Sequence, residues 1–482
     1  MTQDNTQTTQ TISGGNPWQD ATLPEQDPIF HLAIAWSLDE PDRVGEVARA
    51  DSSCVLGRGE GLESDPFPRL SFTRQRPSLS TSTGPLMSPR VSRLQLIIEA
   101  REEALDVQSV GRCPLLINGA SCERGVLQEG DTITLKDSLV LLVVRRPAAL
   151  PPLRSYPSNL IGPFGARDAH GLVGESPETW QLRDELGFAA RSGQHVLLYG
   201  ETGVGKEIAA HALHALSPRH AQKLLARNAA TLSDASSDIE LFGTVRDYPQ
   251  QGMIERAGLL EEASGSTLFL DEVGELSERI QAHLMRVLDQ RGEYQRLGDS
   301  ATRRAELCFV AATNRPLQQL KHDFTARFTQ RVHVGGLSER REDIPLLIHW
   351  LLQTAARKDP QLAERFFQDQ GAELGRARLD SLLVEGLLRH RYTQHVRELE
   401  RLLWLALGTS QSNFVALTPE VRAELVADNE ARNSPEPSRA EIETALRDSD
   451  GNVTQATRAL GLRNRFVLYR LIKRHGIVLR TP

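Results

Sequence analysis

The stretch HVLLYGETGVGKE at 195–207 constrains the fold of this chain more than any other. HVLLYG is a short apolar run suited to a buried strand, and IAAHALHALS after the glycines has a helical pattern. Gly200, Gly203 and Gly205 permit a tight loop whose backbone N–H groups can surround a polyphosphate, while Lys206 supplies a point charge. The stretch therefore predicts a strand–loop–helix unit with a nucleotide site. Its candidate ligands are Gly200, Glu201, Thr202, Gly203, Val204, Gly205, Lys206 and Glu207.

Two acids close the next apolar run that follows this loop. TLFLDE predicts a strand ending in Asp271, which can hold a magnesium ion directly or through water, and Glu272, which can polarise an attacking water. Glu207 occupies the position where such loops usually carry a Ser or Thr, so the metal needs Asp271 as another protein ligand. A third strand, LCFVAATN, ends at Asn314, where a parallel sheet would place a polar group near the phosphates. Together these residues predict an α/β domain that binds ATP and Mg²⁺.

Length and composition place this domain within a larger protein. The chain has 482 residues, 39% hydrophobic content and a net charge of −7, which is ordinary for several folded domains. Four cysteines without metal-ligand spacing suit a reducing cytosol. No apolar stretch reaches membrane-spanning length, so we expect a cytoplasmic protein without a membrane partner. Composition breaks at the polar start of the chain, at the Pro-rich stretch 147–159 and at 429–438 predict three folded units of different kinds. We expect a disordered tail (1–28), an all-β domain (29–148), a linker (149–168), a central region (169–410), a second linker (411–437) and an all-α unit (438–482).

Seven motifs identify a family resemblance for the central region. In order along the chain they are LVGES, GETGVGKE, ELFG, TLFLDEVGEL, AATNR, LSERREDIPLL and HVRELE. They resemble the AAA+ domain of bacterial enhancer-binding proteins, the ATPases that remodel RNA polymerase carrying sigma-54. The resemblance implies an α/β subdomain (169–335), a helical lid (336–410) and self-assembly, because the nucleotide sites of that family lie between subunits.

The resemblance also implies a role for individual residues. Glu at the position of Glu207 is normal in that family. The matching positions imply that Lys206 binds the phosphates, Asp271 the magnesium ion, and that Glu272 activates water, while Asn228 holds Glu272 in a switched-off position, Asn314 is the first sensor and Arg397 on the lid is the second.

The arginine fingers of the family are only partly retained. The family segment has one arginine directly after a phenylalanine and another six residues later, both reaching the nucleotide of a neighbouring subunit. FTARFTQRV keeps the second as Arg331, whereas Thr325 occupies the first position. Arg327 either substitutes from two residues away or is a surface charge. Because a missing finger can cost about 10³ to 10⁵ in rate, the sequence supports nucleotide binding better than fast hydrolysis.

The loop that contacts sigma-54 in that family is replaced. Its tip reads Gly-Ala-Phe-Thr-Gly-Ala there, three residues after ELFG, and this chain has DYPQQG at 247–252 in the same register. A proline and two glutamines give a polar, stiff tip, with Tyr248 as a displaced aromatic. We therefore expect that the chain does not engage sigma-54 in the usual way.

The C-terminal segment is a candidate DNA-binding unit. From residue 438 to 482 it carries nine Lys and Arg against four Asp and Glu, in three short helical patterns broken by glycines. GNVTQATRALGLRNRFVLYRLIKRHGI resembles the Fis-type helix-turn-helix of enhancer-binding proteins, which implies dimeric half-sites on DNA. Helix-turn-helix geometry places the start of the last helix on base edges. The candidate contacts are Arg463, Asn464, Arg465, Arg470 and Lys473.

The N-terminal domain alternates short apolar runs with polar turns, as β-sandwiches do. LGR, VSRLQ and LLINGASCERGVLQEGDTITL resemble the FHA domain, a reader of phosphothreonine peptides, and imply that Arg58 and Ser92 bind the phosphate. Gln95 replaces a histidine of that family. The register assigns Asn118-Gly119 to the second of two such pairs in that family and puts Cys113-Pro114 at the peptide-binding pair. Phosphothreonine binding therefore remains an open alternative.

Three function classes fit these patterns. The first is an ATP-driven activator of sigma-54 polymerase with the FHA-like domain as its input. The second is a DNA-binding regulator that binds nucleotide without engaging sigma-54, and this is our expectation. The third is an interaction protein or repressor in which the ATPase and phosphopeptide sites are degraded.

Overall fold

The computed structural model describes the following parts of the chain: 27–232, 236–289, 292–370, 373–433 and 439–449, with Ala456, Leu460 and Leu468. Among these residues, no helix combines the length and apolarity needed to cross a bilayer.

The N-terminal region is a sandwich of two antiparallel sheets. One has eight strands in the order β5-β4-β2-β1-β12-β11-β8-β9, and the other has four in the order β10-β7-β6-β3. The strands are β1 (Ile29–Ser37), β2 (Val47–Arg49), β3 (Cys54–Leu56), β4 (Phe72–Arg76), β5 (Leu79–Gly84), β6 (Leu96–Ala100), β7 (Leu105–Ser109), β8 (Leu115–Ile117), β9 (Ala120–Ser121), β10 (Arg124–Leu127), β11 (Thr132–Leu135) and β12 (Leu139–Arg146).

Strand β12 is buried on both faces. Leu141 and Val143 pack into the interior of the sandwich. The alternate residues Val140, Leu142 and Val144 belong to a different core, shared with helices of the lid. Because side chains of a strand alternate between faces, the unbroken run LVLLVV requires apolar partners on both sides. The larger sheet is therefore an internal wall between the sandwich and the lid.

The central region is an α/β unit around a five-stranded parallel sheet. The strand order is β14-β15-β18-β13-β19, which brings the carboxyl ends of β13, β15 and β18 side by side. Its elements are α1 (Pro177–Ser192), β13 (Val196–Tyr199), α2 (Lys206–Leu216), β14 (Leu225–Asn228), α3 (Ser237–Phe242), α4 (Leu259–Glu262), β15 (Thr267–Asp271), α5 (Glu278–Leu288), β16 (Glu293–Tyr294), β17 (Arg303–Arg304), β18 (Cys308–Thr313), α6 (His322–Thr325) and β19 (Gln330–His333).

The lid is helical with one small hairpin. Its elements are α7 (Ile344–Lys358), α8 (Pro360–Phe366), β20 (Phe367–Gln370), β21 (Glu373–Ala377), α9 (Ser381–Arg389), α10 (His395–Thr409) and α11 (Pro419–Asn433). Helix α11 lies in the stretch predicted as a second linker, and its Val421 and Leu425 are buried in the lid core. The Thr418 hydroxyl accepts the N–H of Val421, 3.4 Å away, so Thr418-Pro419 starts the helix with a capping residue and a proline. A last helix, α12 (Arg439–Asp448), follows.

The Pro-rich segment assigned to the first linker is packed against α1. The Asp184 carboxylate accepts the backbone N–H groups of Arg154, Ser155 and Tyr156 at 2.9, 2.5 and 3.0 Å. A Cβ on Gly187 would stand 2.6 Å from the Ser155 carbonyl oxygen, so the glycine lets the segment approach the helix. Apart from a 3₁₀ turn at Ser158–Leu160, the segment has no helix or strand, and specific hydrogen bonds hold it in place.

Buried polar contacts join the sandwich to helix α9 of the lid. The carboxylate of Glu385 is buried and accepts the hydroxyl groups of Thr132 and Thr134 at 3.2 and 3.0 Å. Arg389, one turn further, donates to the backbone carbonyl of Asn118 at 2.6 Å. A carboxylate withdrawn from water needs such donors, so these contacts fix where the sandwich sits on α9.

A second group of charges joins the sandwich to both parts of the central region. Arg146 at the end of β12 is buried; it pairs with Glu342 before α7 at 2.5 Å and donates to the carbonyl of Glu175 at 3.3 Å. The guanidinium of Arg76 in β4 donates two hydrogen bonds of 3.0 and 2.5 Å to the Glu175 carboxylate. Since Glu175 precedes α1 of the α/β subdomain and Glu342 lies in the lid just before α7, the sandwich contacts both parts of the central region.

The hydroxyl contacts to Glu385 predict a cost for undoing them. Thr134→Val keeps the side-chain shape but removes one donor from a buried carboxylate, so we expect a loss of about 1–3 kcal/mol in the free energy of unfolding. Urea denaturation followed by tryptophan fluorescence measures it. Thr81→Val on the exposed strand β5 is the matched control and should change little. Equal effects of the two changes would contradict the assigned contact.

The Arg146–Glu342 pair predicts a pH dependence. Burial raises the pKa of Glu342 from 4.5 to about 7, although Arg146 lowers it. Between these two pH values the unfolded chain has lost the proton that the folded protein keeps, so stability falls as pH rises from about 4.5 to about 7. Glu342→Gln should remove this slope, a change on the order of 3 kcal/mol across the window. Urea titrations of both proteins at several pH values would show parallel curves if the assignment is wrong.

Candidate functional site

A cavity lies where the parallel sheet meets the lid. The loop between β13 and α2, the end of β15, and helices α7 and α10 contribute to its lining. Its polar lining includes Lys206, Asp271, Glu272, Arg340 and Arg397. The sequence brought four of these residues together as candidates, and the structure places them around one cavity.

Lys206 starts helix α2 and points back into the loop. Its ammonium group donates to the carbonyls of Gly200 and Glu201 at 2.9 and 2.8 Å. Burial lowers the pKa of Lys206, while the charges of Asp271 and Glu272 act to raise it. The two carbonyl contacts place the ammonium group inside the loop, where a polyphosphate would need a positive charge.

Asp271 and Glu272 stand at the end of β15. The Asp271 carboxylate accepts the backbone N–H of Glu272 at 2.9 Å. Glu272 adopts a left-handed φ of 55°, which turns the chain out of the strand at this point. Magnesium is usually held by one or two carboxylates together with substrate phosphates and waters, so Asp271 beside the phosphate loop fits it. Among the described residues, no group of three or more His, Cys, Asp and Glu is placed to hold a metal alone.

Two asparagines flank the acids. Asn314, after β18, donates to the hydroxyl of Thr202 at 3.1 Å and so touches the phosphate loop. Asn228 is paired in register with Asp271, but its amide oxygen accepts the N–H of Ala230 at 2.8 Å and caps a short 3₁₀ turn. In this structure Asn228 is thus a turn cap next to the acids, and the described contacts include none between it and Glu272.

The lid approaches the phosphate loop through its backbone. Val396 donates its N–H to the carbonyl of Gly203 at 3.1 Å. A Cβ on Gly203 would stand 2.0 Å from the carbonyl oxygen of Gln394, so only glycine allows this approach. Arg397 follows and reaches the same cavity.

Arg340 is a site residue that the sequence reading missed. It is buried, lines the cavity and donates to the carbonyl of Val204 at 3.0 Å. Burial lowers its pKa, while the nearby Asp343 raises it. The only signal was its place in the motif LSERREDIPLL, in which several charged residues are adjacent and none is singled out.

The other end of the cavity is apolar. Leu172, Val173, Ile208, Leu347 and Trp350 line it, drawn from the segment before α1, from α2 and from α7. A charged end and an apolar end in one cavity suit a ligand with phosphates and a flat base. The sequence reading predicted the charged end alone.

The candidate fingers lie on edge strand β19 and in the segment before it, and none of them lines the cavity. Thr325 is buried and its carbonyl accepts a hydrogen bond from Arg331 at 2.9 Å. Arg327 is in an ion pair with Asp289 of its own chain. Thr325 is uncharged and buried, so the first finger position offers no cation to a neighbouring subunit. Arg327 would have to leave its ion pair with Asp289 to take over this role.

The candidate phosphopeptide residues lie at one end of the sandwich. Arg58 donates to the carbonyl of Pro89 at 3.4 Å, and its N–H donates to the carbonyl of Ser92 at 3.0 Å. The hydroxyl of Ser92 accepts the N–H of Arg112 at 2.9 Å. Arg58, Ser92 and Arg112 are therefore neighbours, and the sequence reading did not include Arg112.

Gln95 and Asn118 have structural roles. Gln95 is fully buried; its side chain donates to the carbonyl of Cys113 at 2.8 Å and accepts the N–H groups of Ser92 and Cys113, each at 3.3 Å. Asn118 donates to Asp131 at 2.8 Å and accepts the N–H of Thr132 at 3.0 Å. Gln95 thus supports the loop that carries Ser92, while Asn118 faces the lid side of the sandwich.

The loop with DYPQQG is held against a neighbouring turn. Thr244 and Arg256 pair at its base, and the Asp247 carboxylate accepts the N–H of Gly252 inside it. The ring of Tyr248 lies on Gly298, where a Cβ would stand 2.6 Å from the ring. The aromatic side chain is therefore seated partly on its own chain.

The five DNA-contact candidates, Arg463, Asn464, Arg465, Arg470 and Lys473, lie outside the described residues. The described part of that unit is α12 and a small core of Ile442, Ala445, Leu446, Ala456 and Leu468.

Comparison with known proteins supports the reading of the central region. Residues 172–337 match the family described as Sigma-54 interaction domain. The chain is 36% identical over 344 residues to the nitric oxide reductase transcription regulator NorR2 of Cupriavidus necator, covering 63% of each chain. It is 31% identical over 327 residues to the transcriptional regulatory protein ZraR of Salmonella typhi, covering 64% of this chain and 70% of ZraR.

Among solved structures, the chain is similar to NtrX from Brucella abortus in complex with ATP, with 26% identity and a TM-score of 0.44 over 64% of this chain and 69% of NtrX. The chain spans 63% of the length of NorR2 and 65% of NorR1 from the same organism. The ordered motifs, the parallel sheet and the similarity to ZraR over 70% of its length all point to the same family. The chain belongs to the family of AAA+ transcription regulators that carry a sigma-54 interaction domain.

Proposed function

We propose that this chain is an ATP-binding and DNA-binding transcription regulator that does not engage sigma-54 through the usual contact loop. The observation that carries the proposal is the cavity in which Lys206, Asp271, Glu272 and Arg397 converge on the phosphate loop. Its apolar end at Trp350 and Leu347 suits the base of ATP. The candidate residues of the C-terminal unit would provide contact with DNA, as a dimer or larger oligomer.

The residues suggest how ATP would be used. Loop N–H groups and Lys206 bind the phosphates, and a magnesium ion held by Asp271 would neutralise their charge. Glu272 would accept a proton from the attacking water, whose oxygen would bond to the γ-phosphorus. The bond between the γ-phosphorus and the β–γ bridging oxygen would break, and this oxygen would leave as part of ADP. Arg331 of a neighbouring subunit, after release from the Thr325 carbonyl, would stabilise the charge of the transition state. Because Thr325 supplies no second cation, we expect slow hydrolysis and firm binding.

The loop supports the sigma-54-independent reading. The tip contains Gln250 and Gln251, which are exposed and polar, and Tyr248 rests on Gly298. A partner helix or groove would gain little apolar area from such a tip. The sequence change and the position of Tyr248 both favour a loop that does not insert into sigma-54.

One observation favours the alternative of an ATP-driven sigma-54 activator with a divergent loop. Met253 and Ile254, directly after the tip, are 45% and 83% exposed. Two exposed apolar side chains beside a loop could replace the missing phenylalanine as the contact. The third class, an interaction protein without ATPase activity, would require that ATP is bound and never hydrolysed, or not bound.

Transcription with purified polymerase tests these classes. On a target promoter selected by binding to the full-length protein, we expect ATP-dependent regulation with the housekeeping sigma factor and none with sigma-54. Lys206→Ala should weaken ATP binding by about 100-fold or more, because it removes the buried cation of the phosphate site. Lys223→Ala on the loop before β14, outside the cavity, is the control.

The outcomes of this experiment distinguish the three function classes. ATP-dependent open complexes with sigma-54 alone would reject our reading, and their loss in a Met253→Ser, Ile254→Ser variant would assign the contact to these side chains. Unchanged ATP binding by Lys206→Ala would reject the phosphate-loop assignment. Regulation that persists without any ATP binding would support the third class.

We also propose that the N-terminal sandwich is an FHA-like input domain that reads phosphothreonine. The two-sheet architecture and the grouping of Arg58, Ser92 and the N–H of Arg112 support this proposal. Guanidinium and hydroxyl groups are suited to a phosphate. Gln95 supports the Ser92 loop in place of the histidine.

Peptide binding tests the input proposal. With a phosphothreonine peptide library, we expect Arg58→Ala to reduce affinity by about 10- to 100-fold, since it removes a charge-assisted contact. Arg124→Ala is the matched control, because β10 and β3 form the opposite edges of their sheet. Binding of the unphosphorylated peptides with equal affinity, or none by the unchanged protein, would make the sandwich an interaction module without phosphate specificity.

A further inference from the structure

We propose that His395 is a positioning residue that ties the phosphate loop to the lid. The inference rests on the proposed nucleotide site and adds a residue that neither touches the nucleotide cavity nor takes part in hydrolysis. His395 is the first residue of α10, two residues before Arg397. Its side chain is 2% exposed, although α10 begins at the surface of the cavity.

The two ring nitrogens of His395 have different partners. Leu337 donates its backbone N–H to Nδ1 at 3.1 Å. Nδ1 is thus an acceptor, so the neutral ring carries its hydrogen on Nε2. Nε2 lies 3.1 Å from a carboxylate oxygen of Glu201 and donates to it. One ring therefore connects the segment that leads into the lid with the phosphate loop.

The backbone around the ring is built to accept it. A Cβ on Gly336 would stand 2.4 Å from the His395 ring, so glycine leaves the space that the ring fills. His395 itself has a φ of 46°, a left-handed conformation that residues with a Cβ rarely adopt. Such a conformation persists when surrounding contacts fix it, and here the Leu337 and Glu201 bonds do so.

The position of the ring determines what it controls. His395 lies beside Gln394 and Val396, whose backbone groups contact Gly203 of the phosphate loop. Arg397 follows two residues later, in the first turn of α10, and lines the cavity. With the ring bonded on both sides, the loop and the start of α10 keep one relative position. Without it, Arg397 and the loop can move apart while every residue that touches phosphate stays in the chain.

A set of substitutions separates the two bonds. His395→Phe keeps a ring of similar size and removes both bonds. In His395→Gln, the side-chain amide nitrogen lies near the position of Nε2 and can still donate to Glu201. In His395→Asn, the side-chain amide oxygen lies near the position of Nδ1 and can still accept the N–H of Leu337. Glu201→Gln alters the partner in the loop. His220→Phe, at an exposed turn after α2, is the control.

ATP affinity of the full-length variants is the measurement. We expect His395→Phe and Glu201→Gln each to weaken ATP binding about three- to tenfold, and the double variant to bind no more weakly than His395→Phe alone. His395→Gln should restore more of the affinity than His395→Asn. Thermal unfolding without nucleotide checks that the variants fold; a variant that does not fold is set aside and the Glu201→Gln and His395→Gln pair decides.

The result can separate failure of this proposal from failure of the nucleotide site. If the unchanged protein binds ATP and Lys206→Ala does not, the nucleotide site stands. Additive losses in the double variant, or full recovery in His395→Asn, would then show that His395 acts only as a core residue and would overturn the proposal. If the unchanged protein binds no ATP, the proposed function fails first and this inference fails with it.

Discussion

The apolar seam between the large sheet of the sandwich and the helices of the lid is the interaction on which the rest of this structure depends. Val140, Leu142 and Val144 share one core with Ile348 and Leu387 of the lid. Burial of this kind contributes roughly 25 cal/mol per Å² of apolar surface, and the seam involves many side chains on both sides. The sandwich cannot leave the lid without exposing the outer face of β12.

The seam also relates the sandwich to the nucleotide site through a short series of contacts. Sandwich residues hold Glu385 and Glu342 of the lid, and the same lid presents Arg340 and Val396 to the phosphate loop. Arg76 pairs with Glu175, which precedes α1 of the α/β subdomain. If the lid rotates relative to the α/β subdomain, either the sandwich moves with it or buried ion pairs break. Breaking such a pair is costly because it leaves a buried charge without a partner.

Local patterns predicted several residues that line the cavity and missed the packing of the sandwich against the lid. The phosphate loop, Asp271, Glu272 and Asn314 are readable because a strand end and a glycine-rich turn fix them within a few residues. Arg340 and the bonds of His395 depend on contacts between segments far apart in the chain, which a single sequence does not record. Helix α11 was missed for a different reason, since composition outweighed the Thr-Pro start signal at its beginning.

The Asn118-Gly119 turn shows how register can decide between two readings of one motif. The pair resembles the peptide-binding pair of the FHA family, yet the distance to Gly130-Asp131 assigns it to the second of the two such pairs in that family. The structure has Asn118 hydrogen-bonded to Asp131 and facing Arg389 of the lid. The assignment could be made from sequence because turn spacing is a local property, whereas contact with Arg389 could not.

The positions that depart from the family pattern have a common location. Thr325, the 247–252 loop and Cys113-Pro114 all occupy positions that contact another molecule in the families that this chain resembles, whereas Lys206, Asp271 and Glu272, which line the cavity, keep the family pattern. A change in a contact surface alters which partner is bound, and a change at the phosphates removes binding of nucleotide altogether. The retained acids and lysine are stabilised by the loop and the lid, so the nucleotide site can persist while its partners differ.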